Sequence, residues 1–299
     1  AAQIMADLHD AVEEGGYSGS DLERLLVRIL FCLFSDDTGI FETAQFEMFL
    51  HHRTSEDGSD LGQQLMALFE VLNTPEDRRP KRLDEDLAAF PFINGELFAA
   101  HLRLTAYDAD MRNALLGACR FDWSRISPAI FGSLFQGIMD KKERRQIGAH
   151  YTSERDILKV IRPLFLDALR AEFEQIKKDR SGRRKSRIEA FQNKLASLHL
   201  LDPACGCGNF LVVAYRELRR LELELLTFLY PNGNEERHLD LGEVAKLSHV
   251  DVDQFFGIEV LEWPARIAET ALWLTDHQMN TELSLAFGNV FQRIPLRAA

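Results

Sequence analysis

The chain has 299 residues, 46% of them hydrophobic, which is enough for two cores because a single core stops growing at roughly 250 to 300 residues. Its formal charge is −12: residues 1–150 carry 25 acidic against 15 basic side chains and residues 151–299 carry 22 against 20, so bulk charge does not favour phosphate and any nucleic-acid contact is expected to be local or made by chain outside this sequence. No apolar run reaches the ~18 residues of a membrane span, AAQIMADLHDAVEE has no signal-peptide pattern, and four cysteines fit a reducing compartment, so a soluble, cytoplasmic protein is expected.

The first half reads mainly as helices. In DLERLLVRILFCLFSDD the apolar residues Leu22, Leu25, Leu26, Ile29, Leu30, Leu33 and Phe34 recur at 3.6-residue spacing, and DLGQQLMALFEVLN repeats the pattern from Asp60. FPFINGELF places Asn94-Gly95 between short apolar segments and predicts a hairpin turn. In ISPAIFGSLFQGIMD, Ser127 is placed to cap a helix, Pro128 to open it, and Ile126 to pack against Phe131. Periodicity is then lost through KKERRQIGAH, so a domain boundary is expected near residues 141–150. After it, Thr152 or Ser153 can cap a helix whose first turn carries Glu154 and Asp156.

The second half alternates strand and helix. LHLLDPA reads as a strand, GNFLVVAYRELRRLELELLTFLY as a long helix, FFGIEV as a second strand and EWPARIAETALWLTDHQMN as an amphipathic helix. That order implies a parallel sheet of doubly wound type. The densest basic stretch, KKDRSGRRKSR, lies between helical segments and reads as a solvated loop, with a phosphate contact as the alternative.

LLDPACGCGNFL joins a strand to a helix through a glycine-rich turn, the usual place for a ligand in an open α/β sheet. Neither dinucleotide nor P-loop glycine spacing is met. Asp202 stands at the strand end instead, where a carboxylate repels pyrophosphate but attracts a cofactor bearing an ammonium and a sulfonium, as S-adenosylmethionine does. The second strand leads into Glu259, placed to accept ribose hydroxyls. Cys205-x-Cys207 is too closely spaced for a zinc or redox pair, no second pair completes a metal site, and no metal is expected.

These residues carry a family resemblance. DPACGCGNFL resembles the DPACGSGNFL motif of gamma-ordered DNA adenine N6-methyltransferases, with Cys207 where serine is common. GAHYTSE is similar to the motif that precedes it and closes over the methionine end of the cofactor. FGIEVLEWPARIAETALWLTDHQMN resembles the second motif and helix of the MmeI-like fused restriction–modification enzymes. LVRILFCLFSDDTGIF, EDGSDLGQQLMALFEVLNTP, FPFINGELF and FDWSRISPAIFGSLFQ are similar to the helical spacer of those enzymes.

The resemblance implies a partial Rossmann-like methyltransferase core of α/β class over residues 148–299, preceded by a helical spacer over 1–147. It implies that His150, Tyr151 and Thr152 contact the methionyl group and that Glu259 holds the ribose. Asp202, Pro203, Ala204, Cys205, Gly206, Gly208, Asn209 and Phe210 form the cofactor loop. Ile258 and Val260 flank the adenine ring, and Asn289, in GNVF, lies near its amino group. The family's catalytic [ND]-P-P-[FY] tetrapeptide does not occur, so no catalytic residue is assigned. The expectation is therefore a fragment that binds S-adenosylmethionine weakly or not at all and does not methylate alone. Its parent would act on double-stranded DNA with endonuclease and target-recognition domains. A non-catalytic interaction module, or a methyltransferase acting on RNA or protein, is the alternative.

Overall fold

The structure, a computed structural model, describes residues 2–93, 97–103, 106–126, 152–230 and 247–287. It divides into two compact units, Ala1–Ala149 and His150–Arg297.

The described part of the first unit is helical: α1 (Ala2–Glu14), α2 (Gly19–Thr38), α3 (Gln45–Arg53), α4 (Leu61–Asn73), α5 (Glu85–Ala88) and α6 (Ala109–Cys119). The predicted stripe of α2 is buried at every position, and the helix stops at Gly39, whose φ of 81° is the left-handed conformation glycine adopts at little cost. Two acids in its last turn organise later parts of the unit. Asp36 accepts the Phe46 amide at 2.9 Å and so caps α3, where Ala44 has no side chain able to do it. Asp37 accepts the Trp123 amide at 2.6 Å.

The Asn94-Gly95 turn lies outside the described residues, but its flanks are not strands. The Ile93 amide donates to Leu72 at the end of α4, and buried Arg28 donates to the carbonyls of Leu97 and Ala100 while its guanidinium lies over Phe69 and Phe98. The apolar residues that suggested a hairpin are consumed by the helical core. The helix expected from Ser127 also lies outside the described residues.

In the second unit, α7 (Glu154–Ile161), a π-helical turn (Arg162–Leu166) and α8 (Asp167–Lys178) form one continuous rod. The π turn falls at Pro163, which has no amide to donate and whose ring would clash with a regular helical carbonyl. Then come α9 (Arg184–Ala196), β1 (Leu200–Asp202), α10 (Asn209–Leu229), β2 (Phe255–Gly257) and α11 (Glu262–Ala286). β1 and β2 are parallel, with Leu200 opposite Phe255 and Asp202 opposite Gly257. The doubly wound arrangement needs more strands than these two, the ones present among the described residues.

One sheet face packs on the helices, through Phe255 edge-on to Tyr215 at 5.2 Å. Leu201, Phe256 and Ile258 are exposed. α10 and α11 are joined by a buried polar network: Arg219 donates to Asp276 (2.9 Å), to the Tyr215 hydroxyl (2.6 Å) and to Asn280 (2.8 Å), and Tyr215 donates to Asp276. Buried Glu222 accepts the Ser248 hydroxyl at 2.7 Å and the His249 amide at 2.6 Å, anchoring the chain as it enters β2.

The rod and α10 run in the same direction. Glu154, Ile157 and Ile161 lie with Phe210, Val213 and Arg216 in the first two turns of α10, and Arg170 and Phe173 meet Glu217, Glu224 and Phe228 further along it. The start of α7 therefore lies toward the end of α10 where the glycine loop enters.

Candidate functional site

The turn between β1 and α10 is built by two carboxylates and two glycines. Asp202, the last residue of β1, accepts the Ala204 amide on Oδ1 at 3.1 Å and turns the chain out of the sheet. The loop then returns: the Cys205 amide donates to Ile258 at 3.0 Å, and the Ile258 amide to Asp202 at 2.9 Å. These two bonds carry the ladder past β2 and deliver Glu259 to the loop. Its Oε2 accepts the Gly206 amide at 3.0 Å and its Oε1 the Leu261 amide at 2.9 Å.

Gly206 (φ 53°) and Gly208 (φ 77°) are both left-handed, but for different surroundings. A Cβ on Gly206 would meet nothing within 4 Å, so the loop backbone faces open space there. A Cβ on Gly208 would lie 2.7 Å from the Ala268 Cβ, so that glycine lets α11 close on the start of α10. Gly257 has a similar task, since a Cβ would fall 2.6 Å from the Cys205 sulfur. The sequence marks neither Ala268 nor Gly257 as part of the site, although a glycine inside a strand is a signal of close backbone approach.

Cys205 is half-buried, and burial followed by the charges of Asp202 and Glu259 pushes its thiol up to about 11. It is held as the neutral thiol, a poor nucleophile and metal ligand. Among the described residues, the one cluster of potential ligand atoms close enough to share a metal is His9, Asp10 and Glu13, partly exposed on α1.

The loop therefore brings together Asp202, Pro203, Ala204, Cys205, Gly206, Gly208, Asn209, Phe210, Glu259 and Val260. Pro203 and Ala204 are exposed, and Val260 is 94% exposed beside Ile258 at 55%, leaving an apolar edge next to the carboxylate. Asn209 Oδ1 is buried with no hydrogen-bond partner among the described residues. Thr152 precedes Ser153, which caps α7 by accepting the Asp156 amide. His150, Tyr151 and Asn289 lie outside the described residues.

The basic stretch 177–187 is elsewhere. Lys177 pairs with Glu174 and Arg187 with Asp179, and Arg184 lies over Phe228 near the far end of α10. At ~1.5 Å per residue the length of α10 puts about 30 Å between that stretch and the loop. The loop expected over this stretch is confined to residues 179–183, because Lys177 and Lys178 end α8 and Arg184 to Arg187 form the first turn of α9.

Residues 176–299 match the family model of the MmeI DNA-methyltransferase domain, and residues 20–98 that of the MmeI helicase spacer domain. A solved structure of the type IIL restriction-modification enzyme MmeI in complex with DNA superposes with a TM-score of 0.84 at 55% identity, over 99% of this chain and 38% of that one. The chain belongs to the MmeI-like family. DNA methyltransferase A of Bacillus subtilis is 34% identical over all of this MmeI-like chain and 33% of its own length. A putative type II restriction enzyme and methyltransferase of Methanocaldococcus jannaschii is 24% identical over 84% of the chain and 24% of its own length. The MmeI-like chain thus spans about a quarter to two fifths of the relatives it matches. The two matched regions fall on the helical unit and on the unit that holds the glycine loop.

Proposed function

We propose that residues 148–299 form the cofactor-binding part of a Rossmann-like methyltransferase core that takes S-adenosylmethionine, that residues 1–147 are its helical spacer, and that the longer parent enzyme methylates adenine N6 in double-stranded DNA. The observation that carries this reading is the Glu259 carboxylate, brought to an open glycine loop beside Asp202. Each carboxylate oxygen engaged by a loop amide keeps acceptor capacity, because an ionised carboxylate offers about four lone-pair sites.

The residues present fit the cofactor. Two carboxylates suit a cationic ligand. The space in front of Gly206 lets a ligand approach the backbone, and exposed Ile258 and Val260 offer an apolar edge to a ring. Asn209 Oδ1, a buried acceptor lacking a donor, can take an N–H or O–H from the ligand. In this assignment Glu259 receives the ribose hydroxyls, and Thr152, with His150 and Tyr151, contacts the methionyl end. Asn289 lies near the adenine amino group. When bound, S-adenosylmethionine supplies an activated methyl group on sulfonium. The chain's own residues bind and orient it, and the groups that receive the target adenine are assigned to the rest of the parent.

The test is saturation-transfer NMR of the 299-residue chain with S-adenosylmethionine, which detects millimolar binders. Weak saturable binding that Glu259→Ala abolishes is expected. Binding indifferent to that substitution would remove the reading.

A further inference from the structure

We infer that Arg216 is a positioning residue for the methionyl side of the cofactor site, acting through Glu154 on the start of α7. This rests on the cofactor reading above.

Arg216 lies on α10, two turns beyond the glycine loop, and is 7% exposed. Its guanidinium grips Glu154 with both arms: Nη1 donates to Oε2 at 3.1 Å and Nη2 donates to Oε1. Glu217 stands 3.7 Å away as a second, looser counter-charge. A two-armed Arg–carboxylate pair fixes orientation as well as distance, which a lysine cannot do.

Glu154 is the first residue of α7, directly after the Ser153 cap and two residues from Thr152. Below the fork, Ile157, Ile161 and Val213 form a small buried cluster, with Phe210 packed on it. Phe210 belongs to the cofactor loop's own helix start. The fork and this cluster thus lock the first turn of α7 to the first two turns of α10, and they set Thr152 relative to the loop that Gly206 and Gly208 shape.

The apolar cluster alone fixes the distance between the two helices. Arg170 and Phe173 already fix the slide of the rod on α10 about four turns further on, so what apolar contact leaves unset is the orientation of α7's first turn. The fork removes that freedom. Glu154 carries the hold of Arg216 to the backbone at the start of α7, where Thr152 stands two residues before it.

The experiment titrates the 299-residue chain with S-adenosylmethionine and with 5′-methylthioadenosine, which keeps the nucleoside and lacks the amino-acid end. Arg216→Gln is expected to weaken binding of the whole cofactor about five- to tenfold while changing methylthioadenosine binding less than about twofold. Glu154→Gln, on the more exposed partner, is the milder variant should Arg216→Gln fail to fold. It should give the same split, and the double variant should lose no more than either single one. Equal weakening of both ligands, additive losses, or no loss overturns the positioning role. Failure of the unaltered chain to bind either ligand overturns the cofactor reading itself, which separates the two failures.

Discussion

Glu259 and Gly206 stand 53 residues apart in the chain and meet at 3.0 Å, the glycine amide donating to the carboxylate. The contact closes the β1–α10 turn onto the segment after β2, so the two motifs read separately from the sequence form one surface. It also aims Glu259. A carboxylate held on both oxygens by backbone amides has its rotamer set before any ligand arrives, which lowers the ordering cost of binding.

The two loop glycines separate on substitution. Gly208→Ala combines a left-handed φ with a 2.7 Å collision against Ala268, and it should destabilise the second unit by about 2–4 kcal/mol in urea unfolding. Gly206→Ala meets only the φ penalty and should cost about 1 kcal/mol. Its methyl group projects into the open space in front of the loop, so ligand binding should suffer more than stability. Equal unfolding losses would contradict the separate tasks assigned to them.

Cysteine chemistry at the loop should be slow. With Cys205 pushed up to about 11, its alkylation by iodoacetamide in a Cys207→Ser background should be negligible at pH 8 and rise steeply only above pH 10. Cys207→Ser itself introduces the serine of the motif that the loop resembles and should leave cofactor affinity nearly unaltered. Fast labelling of Cys205 at neutral pH, read by mass spectrometry of its peptide, would argue for a reactive thiol.

Asp36 gives the first unit a pH signature. Burial raises its carboxyl to about 6, against the bonds from the Phe46 and Glu47 amides and with a further push from Asp37. A group that binds its proton more tightly when folded contributes stability fully below its unfolded pKa. That contribution is lost as pH rises through the folded value, here from about 4 to about 6. The difference in melting temperature between the wild type and Asp36→Asn should therefore shift in favour of the asparagine variant across that window. A difference flat in pH would show that folding leaves the proton affinity of Asp36 unchanged.

The network between α10 and α11 predicts an order of losses. Asp276→Ala strips a buried counter-charge from Arg219 and should cost about 3–5 kcal/mol. Tyr215→Phe removes one hydroxyl that touches both and should cost about 1–3 kcal/mol. Chemical unfolding of the two variants that gave the reverse order would mean the charge pair is not what joins the helices.

Much of the fold is legible in the sequence because it is periodic or local. The stripe of α2, the apolar face of α4, the length of α10 and the strand–turn–helix at Asp202 all declare themselves within a few residues. The Asn94-Gly95 hairpin is not realised in its flanks, because Ile93, Leu97 and Phe98 are bound to α4, Arg28 and neighbouring rings at distant positions. α6 has weak apolar periodicity and gives little sign of itself in the sequence. At the site, Asp202, the glycines and Glu259 can be read as motifs. Ala268 against Gly208, Gly257 against Cys205 and the Arg216–Glu154 fork cannot, since each joins residues about 50 to 60 positions apart through contacts that exist only once the helices have packed.

Whether Glu259 and the glycine loop form a site for S-adenosylmethionine is decided by saturation-transfer NMR of the wild-type chain beside Glu259→Ala. Saturable transfer to the cofactor's ribose and adenine protons is expected in the wild type, with its loss in the variant while the variant stays folded by circular dichroism. Equal transfer in both proteins, or none in the wild type at millimolar cofactor, would contradict it.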